Sequence, residues 1–185
     1  MFYELEMQSH IRLPPGNFND DLSKALKGKL NEKYEGKIDK ENGMVITVKK
    51  ILDIGEGVIV PGDGGAFYDV KFKLLIFKPE IQEVVYGIIT DITDFGVFFD
   101  MGAIDGMIHV SQTMDDFVSV SKVGVLTGKE SKQVLKTKDK CRARVVAVSY
   151  KDINNPKIGL TMRQPLLGNL NWVTEEKKKI AMETK

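Results

Sequence analysis

The 185-residue chain has one cysteine, Cys141, and two histidines, His10 and His109, far apart in sequence. A single thiol excludes an internal disulfide and fits a reducing cytosol, and so few soft ligands argue against a structural zinc site. No stretch approaches the roughly 18 apolar residues of a membrane span. The opening MFYELEMQ also lacks the basic-then-apolar layout of a signal peptide. The expectation is a soluble, intracellular, cytoplasmic protein with no membrane partner and no cofactor. Net charge is scarce too, at 27 Lys and Arg against 26 Asp and Glu. The length allows one large or two small domains, and disorder is expected only in the last few residues.

What is present divides near Lys78-Pro79. Tyr3, Leu5, Met7, Ile11 and Leu13 alternate with Glu4, Glu6, Gln8, His10 and Arg12, the pattern of a half-buried strand stopped by Pro14-Pro15-Gly16. From about Asp20 to Glu35, Leu22, Ala25, Leu26, Leu30 and Tyr34 recur at helical spacing, and Gly36 closes the helix. A strand around Lys37 to Lys40, an Asn42-Gly43 hairpin turn and a long strand from Met44 to Ile54 follow. Ala66 to Phe77 is strand again, with Tyr68, Val70, Phe72, Leu74 and Ile76 on one face. Residues 1–80 therefore read as an α+β domain, an antiparallel sheet with one helix across it.

Between the last two strands lies IGEGVIVPGDGGAF, whose five glycines and one proline argue against a regular strand. Val58, Ile59 and Val60 are nevertheless too apolar for a solvated turn. Either another surface covers them or the segment is an irregular hairpin tip folded onto its own domain. A phosphate-cradling loop is disfavoured, because no Gly-Lys-Ser/Thr follows.

The most informative stretch is IITDITDFGVFFDMGAIDGMIHVSQ, residues 88–112. Val97 and Phe99 alternate with Phe98, so two side chains point into a core and the third ring points outward as a stacking surface for a base. Gly96 allows a bend after Phe95, and His109 alternates away from Ile108 and Val110 toward Phe98. The alternative is that Phe95 and Phe98 are ordinary core aromatics. The spacing FGxFx followed by DGxIHxS resembles the S-one domain, an OB-type RNA-binding barrel, and residues 81–165 are assigned to it.

Charge within this second domain is uneven. From Ile81 to Ser121 there are seven acids (Glu83, Asp91, Asp94, Asp100, Asp105, Asp115, Asp116) and no Lys or Arg, whereas bases dominate from Lys122 to Arg163. Lys136, Lys138, Lys140, Arg142 and Arg144 occupy every second position, with Cys141, Ala143 and Val145 between them. In a strand this makes a basic ridge suited to a phosphate backbone, or simply a solvated face that blocks edge pairing. A short helix is expected from Gln112 to Phe117, then an inserted hairpin over 118–135. A fourth strand from Cys141 to Tyr150 should turn at Asn154-Asn155-Pro156 and return as Lys157 to Arg163.

The order of these parts, with GEG and GDG in the first domain, HVSQxMDD after the third barrel strand and LTMRQPxLGxLxW near the end, resembles the E-prime family of archaeal DNA-directed RNA polymerase subunits. That family is the counterpart of the seventh subunit of eukaryotic RNA polymerase II. The resemblance spans essentially the whole chain. It implies a truncated RNP-like first domain, an all-β OB-type S-one barrel and a tail over 166–185. It also implies a non-catalytic stalk subunit that pairs with the polymerase's F subunit as a heterodimer and contacts emerging single-stranded RNA. The tip loop 55–65, with Gly55, Gly57, Val58, Ile59, Val60, Gly62, Asp63 and Gly64, is then expected at the base of the polymerase clamp. The resemblance to S-one domains puts their RNA-binding positions on Phe95, Phe98, His109 and Arg163, and the charge pattern of the basic strand adds Lys138, Lys140, Arg142 and Arg144 as phosphate contacts. Leu166 departs from the tyrosine that relatives often carry after the proline.

Other readings are weaker. Asp115-Asp116 has no third acid placed to complete a magnesium site. Ser111 and His109 lack a nucleophile elbow, so no hydrolytic triad is expected. An independent RNA-binding factor of translation or RNA decay is opposed by the tip loop and MRQPLLGNLNW. An S-one nuclease would need a carboxylate cluster for which 80 residues of sheet and helix leave no place. Leu166, Leu167, Leu170 and Trp172 form an apolar cluster with no sequence neighbour to cover it, a further expected contact for the F subunit.

Overall fold

In the computed structural model, which describes residues 1–18, 21–121, 124–152 and 156–183, the chain forms two units, Met1–Lys78 and Pro79–Lys185. The first holds β1 (Phe2–Leu13), α1 (Leu22–Tyr34), β2 (Ile38–Asp39), β3 (Gly43–Ile59) and β4 (Ala66–Phe77). Its antiparallel sheet has the order β1-β4-β3-β2. The alternating residues of β1 and β4 turn Ile11, Leu13, Val70, Phe72 and Leu74 toward α1, which fills the opposite side with fully buried Leu26 and Leu30. Asp21 caps α1 by accepting from the Lys24 N–H at 3.0 Å. The residue expected to begin the helix, Asp20, lies outside the described residues.

Two expectations for this unit are corrected. The strand around Lys37 to Lys40 is only Ile38–Asp39, and β3 does not stop at Ile54 but runs on through the glycines to Ile59. The glycines are tolerated because β3 is repeatedly bulged, with its register to β4 shifting after Val45, Val48, Ile51 and Ile54. Each bulge inserts an extra residue and adds bend and twist. As a result every third residue of β3 (Val45, Val48, Ile51) meets every second residue of β4 (Ile76, Leu74, Phe72), all on the core side. The Asn31 side chain of α1 accepts from the Val48 N–H at 2.8 Å, tying the helix to the bulged strand.

The second unit winds β5 (Val84–Ile92), β6 (Gly96–Asp100), β7 (Asp105–His109), β11 (Lys140–Ser149), β12 (Lys157–Thr161) and β13 (Gly168–Asn169) into a sheet of order β12-β7-β6-β5-β11-β13. Additional pairing of β11 with β12 closes it into an OB-type barrel. Val97, Phe99, Ile89, Ile108, Cys141, Ala143, Val145 and Leu160 fill the interior. Burial, and then the charge of Asp139, pushes the Cys141 thiol up to about 12, so the lone cysteine is a core residue and not a nucleophile.

The insertion is more than a hairpin. β8 (Val118–Ser121), β9 (Val125–Gly128) and β10 (Val134–Lys136) form their own three-stranded meander. The helix expected over Gln112 to Phe117 is instead a single 3-10 turn at Val110–Gln112, capped by the His109 side chain. Of the expected Asn154-Asn155-Pro156 turn, only Pro156 lies within the described residues.

The apolar cluster near the end is only partly covered within the chain: the tail forms α2 (Leu170–Glu183) and Leu167 is buried, but Leu166, Leu170 and Trp172 are half-buried. Leu166 adopts the left-handed region at φ 61°, and its N–H donates to Glu176 on α2 at 3.0 Å.

Leu30 has no exposed surface and belongs to the core of the first unit. Leu30→Ala should cost about 2 to 5 kcal/mol of stability, read as a lower urea midpoint by circular dichroism. An unchanged midpoint would place Leu30 outside the core.

Candidate nucleic-acid interface and tip

Phe98 lies on the outer face of β6, between the fully buried Val97 and Phe99. Phe95 is 54% exposed, and its ring meets that of Phe98 edge-on at 6.1 Å and 89°. Across the ladder Gly96 opposes His109 and Phe98 opposes Met107, so His109 is a same-face diagonal neighbour of Phe98. The His109 Nδ1 accepts from the Ser111 N–H at 3.3 Å and lies 2.8 Å from Ser111 Oγ. An accepting Nδ1 leaves the ring proton on Nε2, a donor suited to a phosphate or a base edge. The sequence places these three residues together, and so does the fold.

The basic ridge is not continuous. Lys140, Arg142 and Arg144 alternate outward on β11 as expected, but Lys136 ends β10 of the other sheet. Lys138 lies in the turn between them at φ 71° and donates its N–H to the Ile89 carbonyl at 2.7 Å. Register then separates the set. Lys138 lies level with Phe99, which pairs with Ile89 next to the Phe98 and Asp91 pair, whereas Arg142 and Arg144 pair with Tyr86 and Val84 toward the far end of β5. Asp100 and Asp105 oppose each other below the rings, and burial, with the charge of Asp100, holds the Asp105 carboxyl above the usual range.

Arg163 follows β12 and binds Asp115 through Nε at 2.8 Å and Nη2 at 2.7 Å. Both line a groove of about 430 Å³ beside Ser111 and the exposed Phe117. The neighbouring Asp116 accepts from the backbone N–H groups of Glu130 and Ser131, each at 2.9 Å, and these bonds hold its carboxyl below the usual range. The two aspartates therefore organise an arginine and a loop. Sequence spacing could not assign either partner, because the pairs are 48 and 14–15 residues apart.

At the tip the chain turns through Val60-Pro61-Gly62-Asp63, with the Asp63 N–H bonded to the Val60 carbonyl at 3.0 Å and Gly62 at φ 91°. Proline then glycine at the two central positions is the type II arrangement, a signal that was legible in the sequence. Gly55 and Gly57 lie in β3, and Gly64 follows the turn. Val58 and Ile59 are 60% and 68% exposed, so the tip does not fold its apolar residues onto its own unit. Asp63 faces inward to a latch. Its carboxylate accepts from Arg12 Nε at 2.7 Å, from Arg12 Nη2, and from the Gly65 N–H at 2.9 Å. A Cβ on Gly65 would come within 2.9 Å of the Arg12 guanidinium, so glycine there makes room for the latch. Arg12 was missed in the sequence because the pair spans 51 positions.

The domain pair is that of a recognised class. Residues 8–64 match the SHS2 domain found in the N terminus of Rpb7p/Rpc25p/MJ0397, and residues 78–151 match the S1 RNA binding domain. Together they define a two-domain protein of the polymerase seventh-subunit kind. The chain is 37% identical over 180 residues to DNA-directed RNA polymerase subunit Rpo7 of Saccharolobus solfataricus, covering 96% of this chain and 100% of that protein. It is 33% identical to the Rpo7 of Sulfolobus acidocaldarius, over 95% of this chain and 97% of that one. Against the DNA-directed RNA polymerase III subunit RPC8 of Saccharomyces cerevisiae it is 33% identical over 62% of this chain and 54% of that protein. The chain belongs to the Rpo7 family of DNA-directed RNA polymerase subunits, accessory and non-catalytic by itself. Among solved structures, the apo form of Mycoplasma genitalium RNase R overlays with a TM-score of 0.38 and 29% identity over 43% of this chain and 13% of that one, too slight a likeness to bear on function.

The Arg12 guanidinium, then the Gly65 N–H, lower the Asp63 carboxyl to about 2. Because the folded value is depressed, the latch's contribution is fully present above the ordinary carboxyl value of about 3.9. It is lost as pH falls through about 2. The Gly65 amide resonance should therefore titrate with a midpoint near 2, and Asp63→Asn should abolish that titration. A midpoint at the ordinary carboxyl value would mean that the latch is open in solution.

Proposed function

We propose that this chain is a stalk subunit of archaeal RNA polymerase that acts in the cytoplasm, pairs with the polymerase's F subunit, docks on the core near the clamp through its tip and binds emerging single-stranded RNA on the barrel. The RNA reading is carried by one observation, the outward Phe98 with exposed Phe95 and His109 on the same face of an S1-family barrel. Aromatic rings stack on any base and cations follow any backbone, so binding is weak in base preference and sensitive to salt. Lys138, Lys140, Arg142, Arg144 and Arg163 are the cations offered for that role. Docking is supported by Val58, Ile59 and Val60, which are exposed on a hairpin whose turn is latched by Arg12 and Asp63. Gly55, Gly57, Gly62 and Gly64 shape the backbone of that tip. Pairing with the F subunit rests on family membership and on the terminal apolar cluster, where Leu166, Leu170 and Trp172 are only half-buried.

Two substitutions separate the two surfaces. Phe98→Ala should weaken single-stranded RNA binding by about 1 to 3 kcal/mol at low salt while leaving the thermal transition in place. Unchanged affinity, or a collapsed transition, would assign the ring to the core. Val58→Ser with Ile59→Ser should reduce co-purification with core polymerase and leave RNA affinity intact, because about 1.5 kcal/mol or more of apolar burial per side chain is removed from the docked state. Full retention on the core would show that the tip is not the anchor.

A further inference from the structure

The outer face of the barrel carries a second constellation away from the Phe95–Phe98 rings. Val84, Tyr86 and Ile88 are all exposed on β5, and register sets them directly opposite Arg144, Arg142 and Lys140 on β11. Directly opposed residues share a face, so an aromatic-apolar row lies against a basic row with successive cations about 7 Å apart. Tyr86 is 52% exposed at the centre. Among the described residues no carboxylate forms an ion pair with Lys140, Arg142 or Arg144. The Arg144 guanidinium has one weak contact, Nη1 to Gln82 Oε1 at 3.5 Å, and its buried Nε has no hydrogen-bond partner.

This constellation is displaced from the rings. Phe98 pairs with Asp91, five residues from Tyr86 along β5, a separation of roughly 17 Å at the rise of an extended strand. The direct way between them along β6 passes Asp100, which pairs with Ile88 and is itself opposed by Asp105 on β7, and these carboxylates repel a phosphate backbone. On the other side of β5 the charges are of the opposite sign. Lys138 bonds to Ile89, level with Phe99 and one residue from Phe98 along β6, Lys140 lies opposite Ile88, and Arg142 opposite Tyr86. The acids close one route and the lysines line the other.

We propose that β5 and β11 form a second contact for the same single-stranded RNA, in which a base stacks on Tyr86 and successive phosphates are held by Lys140, Arg142 and Arg144. This rests on the RNA-binding reading above and adds to it a minimum length. A short oligonucleotide engages only the Phe95–Phe98 end, and a longer one bridges both ends by way of Lys138.

The test is a fluorescence-anisotropy titration of the full chain with single-stranded RNAs of about 4 and about 12 nucleotides, lengths that bracket the site sizes of OB-type folds. Tyr86→Ala should weaken binding of the longer RNA about five-fold or more and leave the shorter one unchanged, while Tyr86→Phe, which keeps the ring, binds both like the parent. Arg142→Gln should lower the slope of log affinity against log salt for the longer RNA by about 0.7, the value for one lost phosphate contact on a single strand. Phe98→Ala should weaken both lengths. If Tyr86→Ala and Arg142→Gln bind the longer RNA normally while Phe98→Ala does not, the second contact is overturned, the RNA reading stands, and the face is left to a protein segment. If Phe98→Ala also binds normally, the RNA reading itself fails. Arg142→Gln sits on the surface and supplies the answer should Tyr86→Ala perturb the barrel.

Discussion

The inward-outward alternation of the barrel strands is the constraint on which the candidate RNA surface depends. Val97 and Phe99 fill the interior, so Phe98 must face out; Cys141, Ala143 and Val145 fill it from β11, so Lys140, Arg142 and Arg144 must face out as well. A slip of one residue would bury Phe98 with Asp100 and expose Phe99, at a cost of several buried side chains. The core thereby fixes which residues the candidate surface presents. Substituting an outward residue is expected to change binding far more than stability.

The first unit follows a different rule. Its long hairpin would carry an apolar tip poorly if it were a flat ribbon, since flat exposed strands invite pairing with other chains. Bulges along β3 bend the hairpin, and the Arg12–Asp63 latch fixes the turn at its end. Presenting Val58 and Ile59 to solvent is unfavourable for the free chain. Such exposure persists where a partner surface covers it, which agrees with membership in a family of polymerase subunits.

Much of this was legible in the sequence because side-chain period is a local property. Strands β1, β4, β11 and β12, helix α1, the outward Phe98 and the buried alternates of β11 follow from spacing. What was not legible depends on pairing between distant segments. The period-three apolar pattern Val45, Val48, Ile51 has no meaning until the bulges against β4 are known. The basic residues from Lys136 to Arg144 read as one ridge, yet a left-handed turn at Lys138 divides them between two sheets. The glycines of the tip looked incompatible with a strand, yet two of them lie within β3, where bulges relax the register. The Arg12–Asp63 and Asp115–Arg163 pairs join residues far apart in sequence, and the tail read as uncovered forms a helix that buries Leu167.

The central claim is that the barrel's outward residues meet RNA while its inward residues hold the fold, and aromatic ring resonances test it most directly. With labelled phenylalanine in the full chain, titration of single-stranded RNA at low salt should shift the Phe95 and Phe98 ring protons upfield, as stacking bases do. The rings of Phe99 and Phe72, fully buried in the two units, should stay in place. Stationary Phe95 and Phe98 resonances at saturating RNA, or shifts confined to the first unit, would contradict the account.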